Sequence, residues 1–341
     1  MILVTGATGM VGAHLLMTLA QQHDTIRATR RESSSLKAVE NIFRFFGKEK
    51  AEELMQKVEW VNADLRDPEQ IQKALKGVDT IYHTAAIVSF QKKDDQMMIE
   101  NNREATANLI DFALENHVSK FCHVSSIASL EKIPEKKLTN EDNIWKSDKN
   151  KNAYSISKFQ SEMEVWRGHE MGLPVVIINP SVILGSGNWD KGSPRFFSSI
   201  AKHLYFYSEG GTGFVDVMDC VDAMLRLTSE ENWEKVRGKR FVLNKENIKY
   251  KQLFDTIAKE LNCKSPQWKI TAKGMKIAYW IDAFLSTILF RTPKITKSTI
   301  KSATQQSFYD GSRITKTISF QYRNMSETIQ RIADQYKEEH S

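Results

Sequence analysis

Met1-Ile2-Leu3 runs straight into Val4-Thr5-Gly6-Ala7-Thr8-Gly9-Met10-Val11-Gly12, and His14-Leu15-Leu16-Met17-Thr18-Leu19-Ala20 follows at helical spacing. A strand, a glycine turn and a helix in that order constrain the fold more than any other stretch of this chain. Gly6 allows a tight turn and Gly9 lets backbone N–H groups approach a diphosphate. Gly12 lets helix and strand pack closely, with the helix N-terminus facing the negative charge. The spacing is Gly-x-x-Gly-x-x-Gly rather than the commoner Gly-x-Gly-x-x-Gly. An ordinary βα turn is the plain alternative, and the flanking strand and helix favour a dinucleotide over it.

The next strand bears on which dinucleotide. Asp24-Thr25-Ile26-Arg27-Ala28-Thr29 reads as strand two, and a carboxylate at its end is what a free ribose 2′-hydroxyl requires. Arg30 and Arg31 stand there instead, and paired guanidinium donors suit a 2′-phosphate. NADP is therefore the expected cofactor, with NAD as the second reading.

A chain of 341 residues has room for one large α/β domain with a smaller lobe, or for two domains. Its 48 basic and 42 acidic residues are interleaved and leave only +6, which reads as a solvated surface, not a nucleic-acid face. Cys122, Cys220 and Cys263 are isolated thiols with no metal or disulfide spacing, so no metal is expected and a reducing cytoplasm is the expected location. No charged leader precedes the first strand, so a signal peptide is not expected. The apolar run 276–290 falls short of the roughly 20 residues needed to span a bilayer and is interrupted by Asp282. Flanking Lys273, Lys276, Arg291, Lys294 and Lys297 leave peripheral membrane contact open, but a buried helix is the preferred reading.

Helical periodicity runs from Ser33 to Lys57. Strands are expected at Val58–Ala63, Asp79–His83, Lys120–Ser125 and Pro174–Asn179, with helices after Pro68 and over Met97–Asn116 and Asn152–Met171. The alternation predicts a parallel sheet covered on both faces. After Pro180 the pattern loosens into glycine-rich segments, with a short helix at Cys220–Ser229, a strand at Arg240–Asn244 and a helix at Tyr250–Asn262. Clustered Trp189, Phe196, Phe197, Tyr205, Phe206 and Phe214 divide between core and cleft lining.

Tyr154 and Lys158 stand at i and i+4, within one turn on one helix face. A nearby ammonium favours the phenolate and draws a tyrosine toward a useful acid–base range. Ser125-Ser126 ends strand five, where hydroxyls can meet a carbonyl or alcohol oxygen, and the small residues Thr84-Ala85-Ala86 end strand four, where backbone can lie against a flat ligand.

Taken in chain order these stretches resemble the extended short-chain dehydrogenase/reductase family over nearly the whole sequence. The turn Thr5–Gly12 is similar to the family's cofactor turn, Asp64-Leu65 to its adenine-side Asp, and His83-Thr84-Ala85-Ala86 to its HxAA segment. Asn102 to Asn108 resembles its N-x-x-G-T-x-N helix, with Ala105 in place of glycine. Asn179-Pro180-Ser181-Val182-Ile183-Leu184-Gly185 and Phe214-Val215-Asp216-Val217-Met218-Asp219 also match. The resemblance implies a doubly wound parallel sheet of Rossmann type with a smaller C-terminal substrate-binding lobe. Residues 1–180 would bind NADP, with 214–245 returning to that domain, while 181–213 and 246–341 would form the lobe. It further implies a cofactor site of Gly6, Thr8, Gly9, Met10, Val11, Gly12, Arg30, Arg31, Asp64, Leu65, Thr84, Ala85, Ala86, Ser125, Tyr154, Lys158, Pro180 and Val182.

Carried over on those matches, Tyr154 is the general acid/base. Lys158 holds the nicotinamide ribose and lowers the tyrosine pKa. Ser126 polarises the substrate oxygen, with Ser125 as the alternative. Asn102 serves helix packing or a relay water. The Arg-Ala-Thr-x-Arg strand end, Ser-Ser-Ile, Thr292–Thr296 and Phe308-Tyr309-Asp310 resemble the dihydroflavonol 4-reductase and 3β-hydroxysteroid dehydrogenase branch. Nucleotide-sugar enzymes of the family usually carry an Arg-Asp pair just before Phe214. Gly211-Thr212-Gly213 stand there, with Arg195 the candidate to compensate. The expectation is an NADP-dependent oxidoreductase that interconverts a secondary alcohol and a ketone on a fairly apolar small molecule, with a homodimer left open. A nucleotide-sugar epimerase or dehydratase is the alternative, and a non-catalytic NADP sensor the third.

Overall fold

The computed structural model describes residues 1–89, 91–132, 138–149, 151–271, 273–277, 279–280, 282, 300 and 303–341. Its main sheet contains β1 (Ile2–Thr5), β2 (Ile26–Arg30), β3 (Val58–Asn62), β4 (Thr80–His83), β5 (Lys120–Val124), β6 (Val175–Pro180) and β10 (Lys239–Leu243). The spatial order is β10-β6-β5-β4-β1-β2-β3, and every pairing is parallel, as where Val4 lies between Ala28 and Tyr82. Order therefore reverses between β1 and β4, the crevice where a doubly wound sheet receives its ligand. Unbroken apolar runs such as Val175-Val176-Ile177-Ile178 are what strands covered on both faces require. On one face α1 (Met10–Ala20) and α8 (Val217–Leu227) bury Leu15, Leu16 and Met224 against Val176 and Ile178. On the other, α5 (Asp95–Glu115) and α6 (Ala153–Glu170) bury Ile110 and Val165 against Ile81, Phe121 and Ile177.

The periodic stretch 33–57 is divided. α2 (Lys37–Gly47) and α3 (Ala51–Gln56) are separated at Lys48, whose φ of +49° breaks the helix. The glycine-rich segment before Phe214 is not a loop but β9 (Gly211–Asp216), buried along its length between β7 (Val182–Leu184) and β11 (Glu246–Lys249). A Cβ on Gly213 would lie 2.1 Å from Asn244 Oδ1, so close packing, not flexibility, accounts for that glycine.

Leu184, Phe197, Phe214 and Ile257 of this second core meet Ile329, Ile332 and Tyr336 from the C-terminal helix Met325–His340. The sequence reading identified neither that helix nor Ser312–Ile318 before it, whose Ile314 and Ile318 join the sheet-side cluster. Two carboxylates fasten the C-terminal segment. Asp216 accepts from Met218 N at 2.8 Å at the start of α8, and from Arg331 Nη2 at 2.6 and 2.7 Å and Thr328 Oγ1 at 2.7 Å. Buried Asp219 accepts from Arg323 Nη1 at 2.8 Å. Among the described residues no helix is long and apolar enough to cross a membrane. Most of the 276–290 run, and Thr292–Thr296, lie outside the described residues.

Candidate functional site

At the reversal between β1 and β4, Gly6 turns the chain with φ +69°, and a Cβ there would lie 2.5 Å from Ala85 N and Cα. Gly12 brings α1 against the turn, since its Cβ would meet Gly6 O at 2.5 Å and Thr84 Oγ1 at 2.8 Å. Thr84 Oγ1 donates to Thr5 O at 2.7 Å, locking the ends of the two strands together. Among the described residues no side chain caps the N-terminus of α1, and at Gly9 a Cβ would meet only Gly6 O, at 3.2 Å. An uncapped helix start beside an open glycine fits the diphosphate of a dinucleotide. Thr8, Met10 and Val11 lie on this turn and the first residues of the helix. Met10 reaches Gly185, just beyond β7, where a Cβ would be 2.9 Å from its sulfur. Pro180 and Val182 stand at the end of β6 and the start of β7.

Arg30 ends β2, with its Nε donating to Asn62 Oδ1 at 3.1 Å and its guanidinium 5.9 Å from the centre of the Trp60 ring. β3 thus orients this arginine, a role that sequence reasoning did not assign to Trp60 or Asn62. Arg31 follows, exposed. Asp64 is engaged by Arg66, whose Nη2 lies 2.6 Å from Oδ2, and that pairing holds the carboxyl below the usual carboxylate range. Leu65 beside it is buried in the core.

Neighbouring residues on the extended chain face opposite ways, and this separates the two serines after β5. Ser126 lies beside Tyr154, and its Oγ accepts from Ala128 N at 3.1 Å, capping a short 3-10 turn. Ser125 Oγ points the other way and donates to Glu162 Oε2 at 2.5 Å, so the side chain offered as an alternative to Ser126 is committed to the interior. Asn152 caps α6 by accepting from Ser155 N, which sets where Tyr154 enters the helix. Burial raises the Tyr154 pKa, and Ser126 offsets part of that rise. The net direction is therefore upward, not the lowering expected from Lys158, whose Nζ donates to Val124 O at 3.0 Å. Burial draws the Lys158 ammonium down to about 8, with Glu162 opposing.

Behind these residues lies a buried polar network centred on Glu162. Its Oε2 also accepts from Ser129 Oγ at 2.7 Å and Asn179 Nδ2 at 2.8 Å, and its Oε1 from Arg240 Nη1 at 3.0 Å. Sequence reasoning missed this anion, although it continues the four-residue spacing of Tyr154 and Lys158. Asn102 braces two neighbouring elements, donating to Ile87 O at 2.9 Å and Ser157 Oγ at 2.8 Å. His83, held between Thr5 and Thr106, is drawn by burial down to about 3 and stays neutral beside Lys158.

The profile of a family described as "NAD dependent epimerase/dehydratase family" matches residues 2–242. A "putative dihydroflavonol 4-reductase" of Synechocystis sp. is 24% identical over 330 residues, 96% of this chain and 91% of that protein. "Sterol demethylase protein B" of Methylococcus capsulatus is 27% identical over 317 residues, covering 91% of this chain and 90% of the relative. Among solved structures, a UDP-glucose 4-epimerase of Thermotoga maritima superposes with a TM-score of 0.76 at 15% identity, over 100% of this chain and 99% of its own, and so shares the fold.

Proposed function

The chain belongs to the NAD dependent epimerase/dehydratase family, an enzyme family of extended short-chain dehydrogenase/reductase type, and within it we propose an NADP-dependent oxidoreductase that interconverts a secondary alcohol and a ketone on a fairly apolar substrate. The observation that carries this reading is Tyr154 beside Ser126 and one helical turn from buried Lys158, at the strand ends next to the reversal of strand order. When bound, the cofactor supplies or accepts a hydride at nicotinamide C4. Ser126 Oγ–H polarises the substrate oxygen. In reduction the Tyr154 O–H bond breaks as its proton passes to that oxygen, and the phenolate keeps the electron pair until solvent returns a proton. Because burial raises the Tyr154 pKa, the free site holds the phenol, the form that ketone reduction consumes. Lys158 positions the ribose and supplies the positive charge that the phenolate needs.

Preference for NADP follows from Arg30 and Arg31 at the end of β2, where a carboxylate would favour NAD. In this reading residues 1–180 with 214–245 carry the cofactor, and 181–213 with 246–341 carry the substrate. The names of the two curated relatives suit an apolar alcohol or ketone better than a sugar nucleotide. Purified protein with NADPH and a panel of aryl and alicyclic ketones, followed at the nicotinamide absorbance, tests the assignment. NADPH consumption with at least one ketone is expected, and no thermal stabilisation by UDP- or dTDP-sugars. A ligand at a hundred times its Kd raises stability by about 2.7 kcal/mol, which a melting assay resolves. Stabilisation by a sugar nucleotide, with no turnover of any ketone, would make an epimerase or dehydratase the better reading.

A further inference from the structure

The outer edge of the lobe holds an aromatic face for which the cofactor chemistry has no use. β8 (Phe206–Tyr207) and β12 (Trp268–Lys269) run parallel, with Phe206 beside Trp268 and Tyr207 beside Lys269. Alternation along the strands sends Tyr207 inward, where it packs on the lobe core with Lys251 Nζ 5.2 Å from its ring centre. The same alternation turns Phe206 and Trp268 outward. Their rings meet edge to face at 6.1 Å, and the residues remain 49% and 67% exposed. Tyr205, joined to Trp268 N through its carbonyl at 3.1 Å, is 67% exposed beside them. Three adjoining aromatics left in water form a patch that calls for a partner.

Charge identifies the partner. The segments 202–209 and 264–277 contain Lys202, Lys264, Lys269, Lys273 and Lys276 against a single carboxylate, Glu209, which pairs with Lys269 at 2.6 Å. Lys202, Lys264, Lys273 and Lys276 are exposed. Protein interfaces deplete lysine, whereas aromatic rings flanked by lysines match the boundary between acyl chains and anionic headgroups. We propose that this face docks the enzyme on an anionic bilayer surface, with Phe206 and Trp268 at the acyl boundary and the lysines toward lipid phosphate. Attachment would be interfacial, since among the described residues no helix can span the bilayer. The proposal stands apart from the assigned reaction, and its test reads no turnover.

Full-length protein is sedimented with vesicles of phosphatidylcholine alone and with vesicles containing about a third phosphatidylglycerol. Preferential binding to the anionic vesicles is expected, and it should weaken as salt rises. Phe206→Ala/Trp268→Ala should lower the partition coefficient by about tenfold or more, and Lys273→Glu/Lys276→Glu should lower it on anionic vesicles only. All four side chains are exposed, so unchanged melting of both variants verifies that folding is intact. Quenching of Trp268 emission by brominated lipid, absent in Trp268→Phe, gives an independent reading of insertion. Equal sedimentation with and without anionic vesicles at low salt would overturn the proposal. So would binding indifferent to both double variants, or an aromatic variant that abolishes self-association in the absence of lipid, which would assign the face to a second copy of the chain.

Discussion

Tyr154 and Lys158 are one helical turn apart, yet each takes its charge state from a different neighbour: the tyrosine from burial and Ser126, the lysine from burial and Glu162. Tyr154→Phe should therefore remove the transferable proton and little else. Turnover is expected to fall about 10²-fold to 10⁴-fold while NADPH affinity, measured by fluorescence titration, stays within error. At the other end of the cofactor, Arg30→Ala/Arg31→Ala should cost NADPH affinity far more than NADH affinity, since charge-assisted hydrogen bonds to a phosphate contribute roughly 1.5 to 3 kcal/mol each. Titrating both cofactors into both proteins decides it, and equal losses would remove the arginines from the specificity account. The types and spacing of these residues were legible from the chain. Their orientation was not: only the folded backbone shows Ser125 turned to Glu162 and Ser126 to Tyr154, or Trp60 lying beside Arg30.

Helix α6 lines up Tyr154, Lys158 and Glu162 at four-residue intervals, so one element carries the proposed proton donor, the cation and the anion that supports the cation. Free-enzyme kcat/KM should decline on the alkaline side near pH 8 as Lys158 deprotonates. Glu162→Gln keeps the side chain's shape and removes the charge, so this alkaline limb should move to lower pH, which a purely structural role would leave in place. The sign for stability follows from the same group. Its folded pKa lies below the ordinary 10.5, so between about 8 and 10.5 the unfolded chain holds more protons. The cost of burying Lys158 is present in full below that window and fades as pH rises through it. At this scale the sheet strands and the helices flanking them were legible because buried parallel strands announce themselves as apolar runs. β9 was not, because glycines chosen for close packing look in a sequence like glycines chosen for turns.

Across the whole molecule, the carboxylates of Asp216 and Asp219 join the sheet's last crossover helix to the C-terminal segment through Arg331, Thr328 and Arg323. Removing one partner of a buried pair leaves an uncompensated charge, and the partial exposure of Arg331 places Arg331→Ala near the lower end of that cost, about 3 kcal/mol. Urea unfolding should show the midpoint falling by the corresponding amount with the slope unchanged. A loss below 1 kcal/mol would make the contact incidental. The motif Phe214–Asp219 was recognisable in the sequence, but its partner lies 115 positions further along, beyond any local pattern. That distance has a consequence for biosynthesis. While the ribosome is still adding residues, the strands of the main sheet can pair and bury one another, but the cluster of Phe197, Phe214 and Ile257 stays incompletely covered until Ile329, Ile332 and Tyr336 have emerged. A nascent chain that stalls before Met325–His340 would present an incompletely covered apolar surface, and an Asp216 without Arg331, to chaperones and proteases.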